Sequence, residues 1–182
     1  MPQPYVIMSA QGSDPADEWM KLGVQVHATG NLPQAQAYYG QALRLDPRHA
    51  LVTQNLAIIY AQSNLLNEAL LTIERASMMD GVHGVIKVNL ALMALEADQI
   101  DTALRVAKQG IEIAPNKETR MALAMVLGTA GMPEQALPLY DEILKEDPKH
   151  PSAGANSCFI QTLTTATPKD LLRQRQLWHQ AN

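Results

Sequence analysis

The sequence predicts an all-α fold, a solenoid of antiparallel helix pairs, and three observations carry that prediction. The landmarks of the stretch from Ala16 to Pro47 return three more times along the 182 residues. Leu22, Leu56, Leu90 and Leu123 form one unbroken column, each followed by a small residue: Gly23, Ala57, Ala91 and Ala124. Ala35, Ala69, Ala103 and Ala136 form a second. Helices whose axes lie about 8–10 Å apart need small residues where their backbones meet. Each such hairpin has an apolar face that it cannot bury alone, so successive hairpins must stack.

In chain order, residues 1–12 carry two prolines and no helical period, and read as a flexible or weakly docked lead-in. Ser13 or Asp14 caps the first helix, with Pro15 in its first turn, where a missing N–H costs little. Asp17 and Glu18 complement the helix dipole there. The helix runs to about Thr29, Gly30-Asn31 breaks it, and Asn31 caps a partner helix that ends at Asp46-Pro47. The units span 16–49, 50–83, 84–116 and 117–150, the third being one residue short. Pro138 sits early in the second helix of the fourth unit and predicts a local kink there, not a break. Residues 151–182 read as a fifth pair: one helix from Pro151 to about Leu163, then a second capped by Thr167 and ending near Gln180.

The first unit's Trp19, Leu22-Gly23, Val26, Ala35, Tyr39, Ala42 and Pro47 resemble the tetratricopeptide repeat (TPR) in kind and spacing. Val26 stands in that family's aromatic column, and Tyr39 replaces its Phe. The resemblance covers most of the chain and implies a right-handed superhelix whose first helices line a concave, protein-binding groove.

Composition excludes several function classes. Apolar residues make up 47% and charged residues 18%, enough for a core, and the net charge of −4 comes with scattered basic residues. That balance gives no electrostatic footprint for nucleic acid. Cys158 is the single cysteine, so no intramolecular disulfide framework is possible. It takes the small-residue column of the fifth unit and reads as a packed thiol. No apolar run approaches the roughly 20 residues that span a bilayer, and the start does not read as a secretory signal. A cytoplasmic location is the expectation.

No phosphate-binding glycine loop, nucleophile elbow, carboxylate pair or zinc spacing appears, so the chain as given reads as non-catalytic and without cofactor or metal. His49, His83 and His150 share one column, the last residue of a unit, a whole hairpin apart. They read as junction residues, not as ligands of one ion.

The candidate site is a repeated asparagine. Asn55 and Asn89 directly precede the leucine column, and Asn156 precedes its equivalent in the fifth unit. Asparagine is a poor residue in a helix interior, so its recurrence at the repeat period points to use. A primary amide donates to a peptide carbonyl and accepts from a peptide N–H at once, so a row of them holds an extended chain without reading its side chains. The alternative is that each amide satisfies a carbonyl of a neighbouring unit. Lys21 and Ala122 occupy the column in the first and fourth units. Met20, Val24, Ile58, Leu92, Met121 and Met125 supply the apolar remainder of the expected groove, a face that residues 1–12 or a second copy could cover.

Asn156, Phe159, Thr167-Pro168, Leu171 and Trp178 resemble the segment that joins repeats to catalytic domain in bacterial proteins similar to O-linked N-acetylglucosaminyltransferase. That resemblance implies a substrate-recognition arm whose transferase domain is absent. The expectation is therefore a module that binds a protein or peptide in its groove. The alternatives are part of a glycosyltransferase and a homodimerising scaffold.

Overall fold

The computed structural model describes residues 5–79 and 83–162. Nine helices and no strand occur among these residues: α1 (Pro15–Ala28), α2 (Leu32–Leu45), α3 (Ala50–Gln62), α4 (Leu66–Ser77), α5 (Gly84–Glu96), α6 (Ile100–Ile113), α7 (Lys117–Thr129), α8 (Pro133–Glu146) and α9 (Pro151–Gln161). The pairs α1–α2, α3–α4, α5–α6 and α7–α8 form hairpins, each packed on the next. The first helices α3, α5, α7 and α9 also touch their neighbours in series and build a continuous inner wall. The second helix expected in the fifth pair lies outside the described residues.

Local chemistry sets the boundaries. Of the two candidate caps for α1, Asp14 takes the role, its Oδ1 accepting from the Asp17 N–H at 2.8 Å. Asn31 caps α2 through the Gln34 N–H. Asn116 and Thr119 close a reciprocal capping box on α7. Helix α8 runs unbroken through Pro138. Between the helices of the four hairpins, Gly30, Asn64, Asp98 and Gly131 adopt φ of 81°, 61°, 58° and 72°. That left-handed turn is open to glycine and tolerated by Asn and Asp.

The junction histidines are helix caps. His49, His83 and His150 are the N-cap residues of α3, α5 and α9. Nδ1 of His49 accepts the Val52 N–H at 3.4 Å, and Nδ1 of His150 accepts the Ala153 N–H at 3.2 Å. His49 also reaches back through Nε2 to Asp17 Oδ1, 3.0 Å away, and so ties α3 to α1.

The alanine column (Ala35, Ala69, Ala103, Ala136) is wholly buried. The leucine column is not uniform. Leu90 and Leu123 are buried, but Leu22, on the first described helix, is 42% exposed. At Gly23 a Cβ would lie 2.4 Å from the Tyr39 ring, so the first unit needs glycine where the others carry alanine. Cys158, expected as a packed thiol, is only half-buried.

The inner and outer helices differ in pattern. α4 and α6 carry a single apolar stripe, whereas α3 and α5 are apolar around most of their circumference. A helix apolar all round must be covered on every side. On the inner wall, the cover comes from the chain's own N-terminal segment.

Candidate functional site: an amide ladder on the inner wall

Residues 5–12 lie along the inner wall and make a register with it. The N–H of Val6 donates to Asn89 Oδ1 at 2.9 Å, and Asn89 Nδ2 donates to the Val6 carbonyl at 2.8 Å. Two residues on, the Met8 N–H donates to Asn55 Oδ1 at 3.3 Å, and Asn55 Nδ2 donates to the Met8 carbonyl at 2.7 Å. Each asparagine thus spends its amide on both polar groups of one peptide residue. The step from one rung to the next is two residues of peptide and one repeat of wall.

Of the two expectations for residues 1–12, a flexible or a docked lead-in, residues 5–12 take the docked form, their backbone bonded to the asparagine amides. The physical reason is that an extended chain presents the N–H and C=O of alternate residues to the same side, where two amides wait at the repeat spacing.

Further contacts complete the seat. Lys21, in the ladder column of α1, donates from Nζ to the Gly12 carbonyl at 2.7 Å and to Glu18 at 2.8 Å. It makes a third rung with a donor only, and the peptide spends four residues to reach it instead of two. Gln54 donates to the Val6 carbonyl at 3.3 Å, while its buried Oε1 meets no donor. The Tyr5 hydroxyl donates to Glu96 at the end of α5. Burial, then that hydrogen bond and the Glu96 charge, push the Tyr5 phenol well above its usual range.

A polar relay behind the wall orients Asn55. Its amide hydrogen-bonds Tyr39, opposing the upward shift that burial imposes on that phenol. Tyr39 meets His27 Nδ1 at 3.2 Å, and His27 Nε2 meets Gln62 Oε1 at 2.7 Å. Tyr140 and Asn156 repeat the tyrosine–asparagine pair, with the Tyr140 phenol pushed up to about 12 by burial against the same opposing bond. Asn89 has no such partner, because Ile73 holds the tyrosine's place in its preceding helix.

The remaining expected site residues divide. Leu92, Met121 and Met125 line one apolar hollow with Val6, Val88 and His150, beyond the Val6 rung. Asn156 lines a second hollow with Met125, Phe159 and Ile160. Val24 is half-buried against the first hairpin's cluster. Met20 and Ile58 are corrected: both are wholly buried. Met20 belongs to the buried cluster that includes Tyr39, Ala42 and Ala10, and Ile58 to the larger one that includes Tyr5. Val6, Met8, Gly12 and Gln54 were not foreseen as site residues. The β-prone Tyr5-Val6-Ile7-Met8 run after a proline is a cue to extended conformation only and does not say where the segment docks.

Among the described residues no three His, Cys, Asp or Glu side chains converge as a metal site would need, and no helix is long and apolar enough to cross a membrane.

Residues 27–82 match the family model described as tetratricopeptide repeat. No curated protein matches the chain. Among solved structures, YrrB, described as a TPR protein with an unusual peptide-binding site, is similar at 21% identity and a TM-score of 0.70, over 90% of this chain and 84% of that one. PilF of Pseudomonas aeruginosa is similar at 18% and 0.79, over 92% and 76%. MamA of Desulfovibrio magneticus RS-1 is similar at 14% and 0.72, over 94% and 95%. At these identities the likeness is one of fold. By its repeated landmarks and stacked hairpins the chain is an all-α helical-repeat solenoid, similar in fold to these tetratricopeptide-repeat structures and matching that family's model over residues 27–82.

Proposed function

We propose that the chain is a protein–protein interaction module that holds an extended polypeptide along its inner wall by the peptide's backbone. The observation that carries this reading is the pair of two-way amide bonds, Asn89 with Val6 and Asn55 with Met8. Asn55 and Asn89 form the rungs, Lys21 a third contact at one end, and Leu92, Met121 and Met125 an apolar seat for side chains at the other. Asn156 would extend the ladder into the fifth unit. The peptide-binding description of YrrB supports the same reading by analogy of fold.

The test uses a peptide selected for binding from a random library, measured on protein carrying Val6→Pro and Met8→Pro so that the chain's own segment, which uses the same four bonds, does not mask their loss. Asn55→Ala with Asn89→Ala removes four hydrogen bonds. At about 0.5–1.5 kcal/mol net each, affinity should fall roughly 30-fold or more by calorimetry, with helicity unchanged. Unchanged affinity would sink the ladder.

A second reading has the module as the recognition arm of a glycosyltransferase. It rests on Asn156 and Phe159, the latter 66% exposed on α9, while Thr167-Pro168, Leu171 and Trp178 lie outside the described residues. An immunoblot of source cells separates the two readings: a band near the chain's own 19.9 kDa excludes the arm, and one several times heavier supports it. A homodimeric scaffold would show no monomer mass by light scattering on dilution.

A further inference from the structure

The segment that fills the ladder belongs to the same chain, and this has a consequence for any partner. Residues 5–12 run from α5 toward α1, against the order of the repeats, and pass directly into α1 through two residues. The apolar inner faces of α3 and α5, Ile58, Val88 and Leu92 among them, are buried with the segment in place. The sequences of segment and wall also match where rungs stop. Two residues before Val6 stands Pro4, which has no N–H to offer an amide oxygen, and one repeat after Asn89 stands Ala122, which has no amide.

We infer that residues 5–12 are a built-in competitor for the groove: a partner is an extended segment of another polypeptide that makes the same alternate-residue backbone bonds, in the same direction, and must first displace them. The inference rests on the ladder reading above and adds regulation to it. A ligand tethered by so short a link has an effective concentration of the order of millimolar. A partner that binds the wall with the same intrinsic affinity as the segment therefore shows an apparent dissociation constant no tighter than about that value, and only a partner that binds better than the segment goes below it. Release of the segment is then what turns the module on.

The experiment keeps the full chain. Val6→Pro with Met8→Pro removes the two N–H groups that the asparagines accept and leaves every helix untouched. The probe is a fluorescent peptide of residues 4–12, PYVIMSAQG, followed by anisotropy. The expected result is at least tenfold tighter binding to the proline variant than to the unaltered protein, lost again when Asn55→Ala and Asn89→Ala are added. Equal binding to both, still dependent on the asparagines, overturns the competitor and leaves the ladder standing. No binding to the proline variant at millimolar peptide overturns both, since contacts that weak could not hold the segment in place. Hydrogen exchange on the unaltered protein gives an independent reading should the proline variant fail to fold. The Val6 and Met8 amides should exchange at least tenfold slower than in the free peptide, and free-peptide rates there overturn the inference.

Discussion

Asn55 shows how one side chain joins the fold to the site. Its amide faces the Met8 peptide on one side and the Tyr39 hydroxyl on the other, so it is spent on partners in two different elements. Helix propensity argues against asparagine here, and tertiary hydrogen bonding overrides it. The same tyrosine decides the residue at position 23. A β-carbon there would come within 2.4 Å of the Tyr39 ring, itself buried and hydrogen-bonded through its hydroxyl to His27 and Asn55. Gly23→Ala therefore cannot profit from alanine's higher helix propensity and must move the ring. We expect a loss of about 1–3 kcal/mol by urea denaturation, in the range of overpacked cores. A neutral or stabilising result would mean that the ring has room to shift and that the relay behind Asn55 is not rigid.

The hairpins repeat a conformation at their turns as faithfully as an amino acid at their cores. Gly30, Asn64, Asp98 and Gly131 all take positive φ, but only two of them are free of the β-carbon penalty. Asn64→Gly and Asp98→Gly should leave thermal stability unchanged or raise it by up to about 1 kcal/mol, whereas Asn64→Val should lower it by about 1–2 kcal/mol. If the valine variant melts with the unaltered protein, the turn is not held in the left-handed region. This turn column was legible in the sequence only at Gly30, since glycine, asparagine and aspartate do not look like one column until the backbone is seen. The core columns were legible because a 34-residue step repeats apolar identity, which packing demands of every unit alike. The docked segment was not. Residues 5–12 have no helical period, and their placement depends on two asparagines 34 residues apart in the sequence and adjacent in space. Nor were the histidine caps, because His49 and His150 do with a ring nitrogen what Ser, Thr, Asp or Asn do elsewhere.

At the scale of the whole molecule, a stack of hairpins behaves as a one-dimensional array in which each unit is stabilised by its nearest neighbours. The segment 5–12 breaks that rule. It bonds α5 through Asn89, α3 through Asn55 and α1 through Lys21, so three units share one strap. Among the described residues α8 and α9 make no hydrogen bond with it; they are joined through nearest-neighbour contacts and tied locally, as where Arg120 pairs with Glu146 at 2.7 Å. Cooperativity should therefore be uneven along the array. Native-state hydrogen exchange in low denaturant reads each helix's opening free energy separately. With Val6→Pro and Met8→Pro, α3 and α5 should lose about 1–3 kcal/mol, the net value of two or more backbone bonds. α8, with no bond to the strap, should change by less than about 0.5 kcal/mol, as expected of distant, independent sites. An equal loss in α8 would mean that the array already unfolds as one body and that the strap adds nothing to its coupling. No loss in α3 and α5 would mean that their inner faces are sealed by helix contacts alone, and the segment would then be a passenger on a wall that did not need it.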